Sequence, residues 1–491
     1  MLFNSIQYFV FIQIYFLLYW GLNKSLKVQN VLLLIGSYLF YGLWDYRFLS
    51  LIIISSMTDY IIGLSLGKEQ NVTKRKILLW LSLSINLGIL FIFKYFNFFI
   101  ESFLLLSEKI GLNPNLQTLS LILPIGISFY TFQTLSYTID IYRGKLKPTK
   151  DVVSFFTFVA FFPQLVAGPI ERASNLLPQF EVKRTTNSFE VSQSLRQILW
   201  GLFKKVVIAD NCALYVDLLF STNENFYGLP LMLGTVLFAF QIYCDFSGYS
   251  DIAIGSARLL GFRLMQNFAT PYFARNIAEF WRRWHISLST WFKDYVFIPL
   301  GGSRHGTNKQ IRNIFITFTV SGLWHGANWT FIFWGILHAC FYLPNLLLKT
   351  NKKFESIGKS SKTTFLGQEL IQILGTFFIV CIAWVFFRAE NIQHAFDFLL
   401  RMFRFQDLGL PDFNKAINFR LADLGISTNH LLFTLSSIIF MMLIEWKNRF
   451  YSFGIERLPL NIFVRFTLYI LLSLMVAEFL SEKREFIYFQ F

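Results

Sequence analysis

Long apolar runs recur along the whole chain, and they decide what it can become. A helix that crosses a bilayer needs about 20 mostly apolar residues, and fewer when it is sheltered by protein. Runs of that kind lie at 3–20, 30–44, 47–66, 77–98, 119–141, 199–220, 231–257, 312–325, 328–348, 366–388, 431–446 and 460–480. Only 15% of the 491 residues are charged and 19% are aromatic. A soluble domain carries about 25% charged residues. This chain therefore cannot clothe itself in polar surface, and the expected fold is an all-α polytopic membrane protein with about 10–12 transmembrane helices.

Within that layout, 151–170 is apolar but carries Pro163, Gly168 and Pro169, which suits a re-entrant element better than a crossing. The organisation reads as N-terminal transmembrane helices over 1–141, a central core with re-entrant and interfacial helices over 142–348, and C-terminal transmembrane helices over 349–491. The first cation, Lys24, follows the apolar run Phe9–Trp20, so the first segment reads as a retained membrane helix and not as a signal peptide.

Charge gives the orientation. The loops 21–30, 68–76 and 142–150 hold ten cations, whereas 45–46 and 99–118 hold Lys109 alone, with Arg47 at a helix edge. The first set is expected in the cytoplasm, followed by 261–311 and 349–365, with 389–430 outside. The net charge of +15 follows from this bias and calls for no nucleic-acid partner. Cys212, Cys244, Cys340 and Cys381 lie in apolar stretches, make no disulfide framework and lack the electropositive setting of a reactive thiol.

Ionisable residues inside spans are costly and mark candidate sites. In Val320–Trp329 (VSGLWHGANW), His325 sits between glycines where a short helix ends and a longer one begins. Imidazole suits proton transfer near neutrality; a hydrogen-bonded structural histidine fits the pattern equally well. In Phe280–Tyr295, Trp281, Trp284, Leu288 and Trp291 fall on one helical face beside His285, as in a helix lying at the membrane interface. In the span 231–257, Asp245 and Asp251 need cationic partners, and Arg258 or the Arg282/Arg283 pair are available. An ion-paired brace is the favoured reading there. His338 follows His325 by thirteen residues, about 20 Å along a straight helix, and reads as packing.

Four segments together resemble one family. Phe162–Arg172 (FPQLVAGPIER), Asp245–Gly255 (DFSGYSDIAIG), Phe280–Gly302 (FWRRWHISLSTWFKDYVFIPLGG) and Leu323–Gly335 (LWHGANWTFIFWG) look like the membrane-bound O-acyltransferases. Within that family they are most similar to the bacterial branch of alginate O-acetylation and teichoic-acid D-alanylation proteins, and the chain's length favours the alginate type. The resemblance implies that His325 is the central catalytic histidine and His285 the second conserved polar position. It also implies a ring of helices around a tunnel where donor and acceptor meet.

On that basis Asn328, Trp324, Trp284, Arg282, Arg283, Asp245 and Asp251 are candidate substrate-binding residues. No metal or bound cofactor is expected. The expected donor is acetyl-CoA, drawn from the cytoplasm by Arg282, Arg283, Lys293, Arg304, Lys309 and Arg312, although the same cations satisfy the positive-inside bias. The acceptor would be an extracytoplasmic polysaccharide, reached directly or through a secreted SGNH-type partner, and the location the bacterial inner membrane. D-alanyl transfer from a carrier protein, a transporter or flippase, and a scaffold subunit are the alternatives.

Overall fold

The computed structural model describes residues 3–23, 25–165, 168–221, 226–351, 366–404, 427–458, 460–480 and 486–487; these are helical or irregular, with no strand among them. Two compact units are present: 1–194 with 253–265, and 195–252 with 266–491.

The first unit begins with α1 (Ile6–Gly21), α2 (Leu26–Asp45) and α3 (Leu49–Lys68). Ser5 and Ser25 cap the first two through their side-chain oxygens. The helical run Leu26–Lys68 is 43 residues long, about 65 Å at 1.5 Å per residue, more than twice the apolar thickness of a bilayer. It bends at the tight turn Tyr46–Phe48, where Asp45 grips Arg47 at 2.6 Å. There follow α4 (Val72–Leu90) and α5 (Phe96–Lys109), joined through the wide turn Phe91–Tyr95, and then α6 (Ile127–Tyr142).

The predicted span 119–141 is helical only from Ile127, because Pro124 and the left-handed Gly126 (φ 78°) precede it. Nearly all of α6 is buried. Its hydroxyl and amide side chains therefore bond within the protein: Gln133 donates to the Phe158 carbonyl, and Ser82 lies 3.0 Å from Thr138. Ser82 and Asn86 in turn donate to Asp59 at 2.6 and 2.8 Å. A carboxylate in a membrane helix is tolerated on such terms.

Next come α7 (Val152–Ala160), α8 (Phe162–Leu165), α9 (Ala173–Phe180) and α10 (Ser188–Leu202). With nine residues, α7 is about 14 Å long and too short to cross by itself.

In the second unit α10 continues through a widened π-helical turn, Phe203–Ala209, into α11 (Asp210–Leu219). The 31-residue α12 (Leu229–Leu259) follows. Two short helices, α13 (Ile277–Arg283) and α14 (Ile286–Phe292), lead to the hairpin of α15 (Thr307–His325) and α16 (Trp329–Leu347). The chain closes with α17 (Leu366–Arg388), α18 (Ile392–Met402), α19 (Thr428–Lys447) and α20 (Ile462–Phe479).

Seven helical runs among the described residues are long and apolar enough to cross a membrane: Leu26–Lys68, Val72–Lys109, Leu229–Leu259, Trp329–Leu347, Gly367–Arg388, Thr428–Lys447 and Ile462–Phe479. This is a multi-pass membrane protein. Most of the predicted loops 349–365 and 389–430, and Lys24 itself, lie outside the described residues.

Glycine sets the hairpin geometry. A Cβ on Gly322 would meet the Phe331 carbonyl, and one on Gly335 the Phe318 carbonyl. The two helices thus run antiparallel with their backbones in contact, the arrangement that small residues permit between membrane helices.

Candidate active site

The hairpin turn carries His325. It is the last residue of α15, and extended Gly326 (φ −160°) separates it from the start of α16. Asn328 caps α16: its Oδ1 accepts from the Thr330 backbone N–H at 3.0 Å, and its Nδ2 donates to the Glu390 carbonyl at 3.0 Å. The imidazole of His325 is 2% exposed and lies among aromatic rings, with centroids 5.1 Å from Trp324, 5.1 Å from Trp334 and 5.4 Å from Phe387.

His285 sits beside it, the two imidazole centroids 6.4 Å apart. Sequence periodicity predicts one continuous helix through this residue. The structure breaks it there: His285 adopts left-handed backbone angles (φ 42°, ψ 56°) between α13 and α14, a conformation uncommon outside glycine. The break turns the ring inward, where it is 0% exposed and packed edge-on against Phe246 at 4.6 Å. Trp284, Leu288 and Trp291 of the predicted interfacial stripe are likewise buried in protein, and Trp281 is half-buried. Trp284 is enclosed by Phe268, Phe280 and Trp384 at 5.0–5.5 Å.

The carboxylates have other partners than the sequence suggested. Asp251 pairs with Lys204 at 2.7 Å and accepts from Gln197 at 2.8 Å. Asp245 pairs with Lys205 at 2.8 Å and accepts from the Ile487 backbone N–H at 2.7 Å. Lys205 also reaches Asp210 at 2.8 Å. The π-helical turn of 203–209 presents both lysines to α12, whereas Arg258 reaches toward Glu190 at 3.9 Å. The brace reading is thus met, with Lys204 and Lys205 in place of the arginines.

Arg283, expected near the donor entrance, is instead buried. It forms a fork on Glu279 at 2.8 and 3.1 Å and donates to the Ala269 carbonyl at 3.1 Å. Arg275 holds the same carboxylate at 2.9 Å. Arg282 is half-buried and donates to the Asn351 carbonyl at 2.7 Å, while Lys293, Arg304, Lys309 and Arg312 are exposed.

His338 is closer to the site than a straight helix would allow. Because the hairpin folds back, one tryptophan, Trp334, packs against both His325 and His338, the latter at 4.7 Å. His338 is buried and accepts from Trp281 Nε1 at 3.3 Å.

Sequence reasoning missed Asn267, whose Oδ1 lies 3.0 Å from His285 Nδ1, and Lys204 with Lys205. A dilysine inside an apolar span is a signal that was there to be read. Asn267 stands in an irregular, largely apolar linker with no periodicity to single it out.

Two imidazoles side by side in a buried aromatic enclosure are equipped for proton transfer. Residues 146–387 match the family model described as "MBOAT, membrane-bound O-acyltransferase family". A probable alginate O-acetylase (AlgI) of Pseudomonas putida is 40% identical over 429 residues, 87% of this chain and 84% of the relative.

The chain belongs to the membrane-bound O-acyltransferase family.

Two further relatives bracket this O-acyltransferase. A peptidoglycan O-acetyltransferase of Helicobacter pylori is 35% identical, covering 84% of this chain and 82% of its own. A teichoic acid D-alanyltransferase of Bacillus subtilis is 30% identical over 55% of this chain and 70% of its own. Both His285 and His325 fall inside the segment matched to the family model.

Proposed function

We propose that this O-acyltransferase takes an acetyl group from acetyl-CoA at the cytoplasmic side of the bacterial inner membrane and delivers it for O-acetylation of a cell-envelope polysaccharide, alginate or a similar glycan. Delivery is either direct or through a secreted SGNH-type partner. The observation that carries the reading is the juxtaposition of His285 and His325, 6.4 Å apart in one aromatic enclosure. The choice of acetyl over D-alanyl transfer is supported by the relatives: the acetyltransferases are similar over 84–87% of the chain, the alanyltransferase over 55%.

In this mechanism His325 accepts the proton of the attacking hydroxyl as its oxygen bonds to the thioester carbonyl carbon. The tetrahedral intermediate then expels the thiolate, which takes that proton back. His285 acts on the thioester or as a second relay. The role of stabilising the oxyanion falls to backbone N–H groups near Gly326, since the Asn328 amide is engaged in its cap and with the Glu390 carbonyl. Trp324 and Trp284 wall the acyl site. The exposed cations Lys293, Arg304, Lys309 and Arg312 attract the CoA phosphates. With His325 only 2% exposed, the surrounding rings must part for the reactants to enter.

The purified protein with labelled acetyl-CoA and an acceptor glycan or partner tests the reading through release of CoA. His325→Ala is expected to abolish transfer while the protein still reaches the membrane; near-normal acetylation in that variant overturns the assignment. His285→Ala is expected to cost most of the rate, and an unchanged rate removes it from the mechanism.

A further inference from the structure

Asn267 lies in the irregular linker between α12 and α13, yet it is 0% exposed. Its Oδ1 faces three groups: His285 Nδ1 at 3.0 Å, Ser287 Oγ at 2.9 Å and the Ser287 backbone N–H at 3.4 Å. Its Nδ2 donates to Ser250 Oγ at 3.1 Å. A backbone N–H can only donate, so the amide atom facing Ser287 N is the oxygen. That same oxygen faces His285 Nδ1 and can only accept. Nδ1 therefore carries a proton, and in a neutral imidazole Nε2 is then the unprotonated acceptor.

Nε2 has no hydrogen-bond partner among the described residues. The main chain is clamped as well. The Asn267 carbonyl accepts from Ile286 N at 2.8 Å, and Ala269 N donates to the Arg283 carbonyl at 2.9 Å, so the linker holds both sides of the left-handed turn. The other rings around it are those of Phe246, Phe268 and Trp324, which do not titrate near neutrality, and the imidazole of His325, whose centroid lies 6.4 Å away.

We propose that Asn267 is a positioning residue of acyl transfer, which locks His285 as its Nδ1–H tautomer and thereby leaves the Nε2 lone pair for the space it shares with His325. The inference rests on the reading of His285 given above and sharpens it. A histidine in this state cannot donate a hydrogen bond to a thioester carbonyl from Nε2. It accepts one from a reacting O–H or S–H group, which makes His285 the relay and not the electrophile. Ser250, by holding the amide the right way round, belongs to the same chain of orientation.

The test uses the full-length protein in detergent or nanodiscs, with CoA release from acetyl-CoA as the rate. Asn267→Asp keeps an oxygen against Nδ1–H but adds a negative charge that favours the imidazolium, which blocks Nε2 as an acceptor. The expected result is a rate about tenfold or more lower at neutral pH, recovering as pH rises, so that the acid limb of the kcat profile moves to higher pH while KM for acetyl-CoA holds. Asn267→Ala is expected to lower kcat on the order of tenfold to a hundredfold, the loss typical of an orienting partner, with the acid limb in place. In 15N-histidine spectra, the Nδ1–H signal that disappears in His285→Ala should become a mixture of tautomers in Asn267→Ala.

An Asn267→Asp enzyme whose acid limb stays put, with a rate that falls only as far as its folded fraction, overturns the proposal and leaves Asn267 a structural residue. That failure is separate from the failure of the underlying reading. Full activity in His285→Ala sinks the role of His285, whereas an inactive His285→Ala beside an Asn267→Asp of ordinary pH profile sinks only the tautomer lock.

Discussion

Lys204 and Asp251 form an ion pair of 2.7 Å in which the ammonium is 3% and the carboxylate 11% exposed. Gln197 occupies the second carboxylate oxygen, and Ser247 lies 2.9 Å from the ammonium. A buried pair contributes little net stability against an apolar replacement, but stranding one partner costs about 3–5 kcal/mol. Lys204→Met is therefore expected to destabilise the protein by that amount, read as a lower thermal midpoint in detergent. The double variant Lys204→Met/Asp251→Leu should recover much of the loss; failure to recover would show that each charge has a separate task.

The hairpin of α15 and α16 makes a second, steric prediction. Gly322 and Gly335 each face a carbonyl oxygen of the opposite helix, and backbone cannot yield as a flexible side chain can. Gly335→Leu should force the helices apart at a cost of about 1–3 kcal/mol or more. It should also lower acyl transfer, because His325 lies at the end of the displaced helix. Retained activity with an unchanged thermal midpoint would contradict the close approach.

How much of this was legible beforehand differs from residue to residue. The apolar runs gave the fold class, because hydropathy is a local property and the bilayer demands it. The helix junction at Trp324 and His325 is legible because glycines around a histidine are a local signal. The sequence singles out His285 but not its setting. The stripe Trp281–Trp291 has helical spacing, and nothing local reports that Asn267 clamps the chain into a left-handed turn at its middle. The partners of Asp245 and Asp251 lie on another helix, more than 30 residues back in sequence, and periodicity carries no information about such pairings. Counting along a straight axis puts His338 far from His325, but the chain reverses at Gly326.

Glu279 provides a pH prediction outside the spanning helices. Burial works against its charged form, but hydrogen bonds from Arg275 and the nearby Arg283 guanidinium outweigh this and hold its carboxyl below the usual range. A depressed folded pKa contributes stability that is fully present above the unfolded value, about 4.3, and is lost as pH falls through the folded one. The thermal midpoint should thus fall with acidification below about pH 4. Glu279→Gln, which strands two guanidinium groups, should lower the midpoint at neutral pH and flatten the acid dependence. A variant that keeps the wild-type acid slope would assign the slope to other carboxyls.

Asn328 separates a cap from a catalytic donor. As a cap, its loss in Asn328→Ala costs about 1 kcal/mol and loosens the junction at Gly326, while Asn328→Ser, which retains a capping oxygen, recovers most of both stability and rate. As a donor to the oxyanion, its loss would lower kcat by about 10²–10³ without moving the thermal midpoint, and serine would not rescue it. Both ends of the amide are already bonded, Oδ1 to Thr330 N and Nδ2 to the Glu390 carbonyl. The expected outcome is the first pattern: a lower midpoint, a rate loss that tracks it, and rescue by serine, measured by thermal unfolding and acyl transfer on the same preparations.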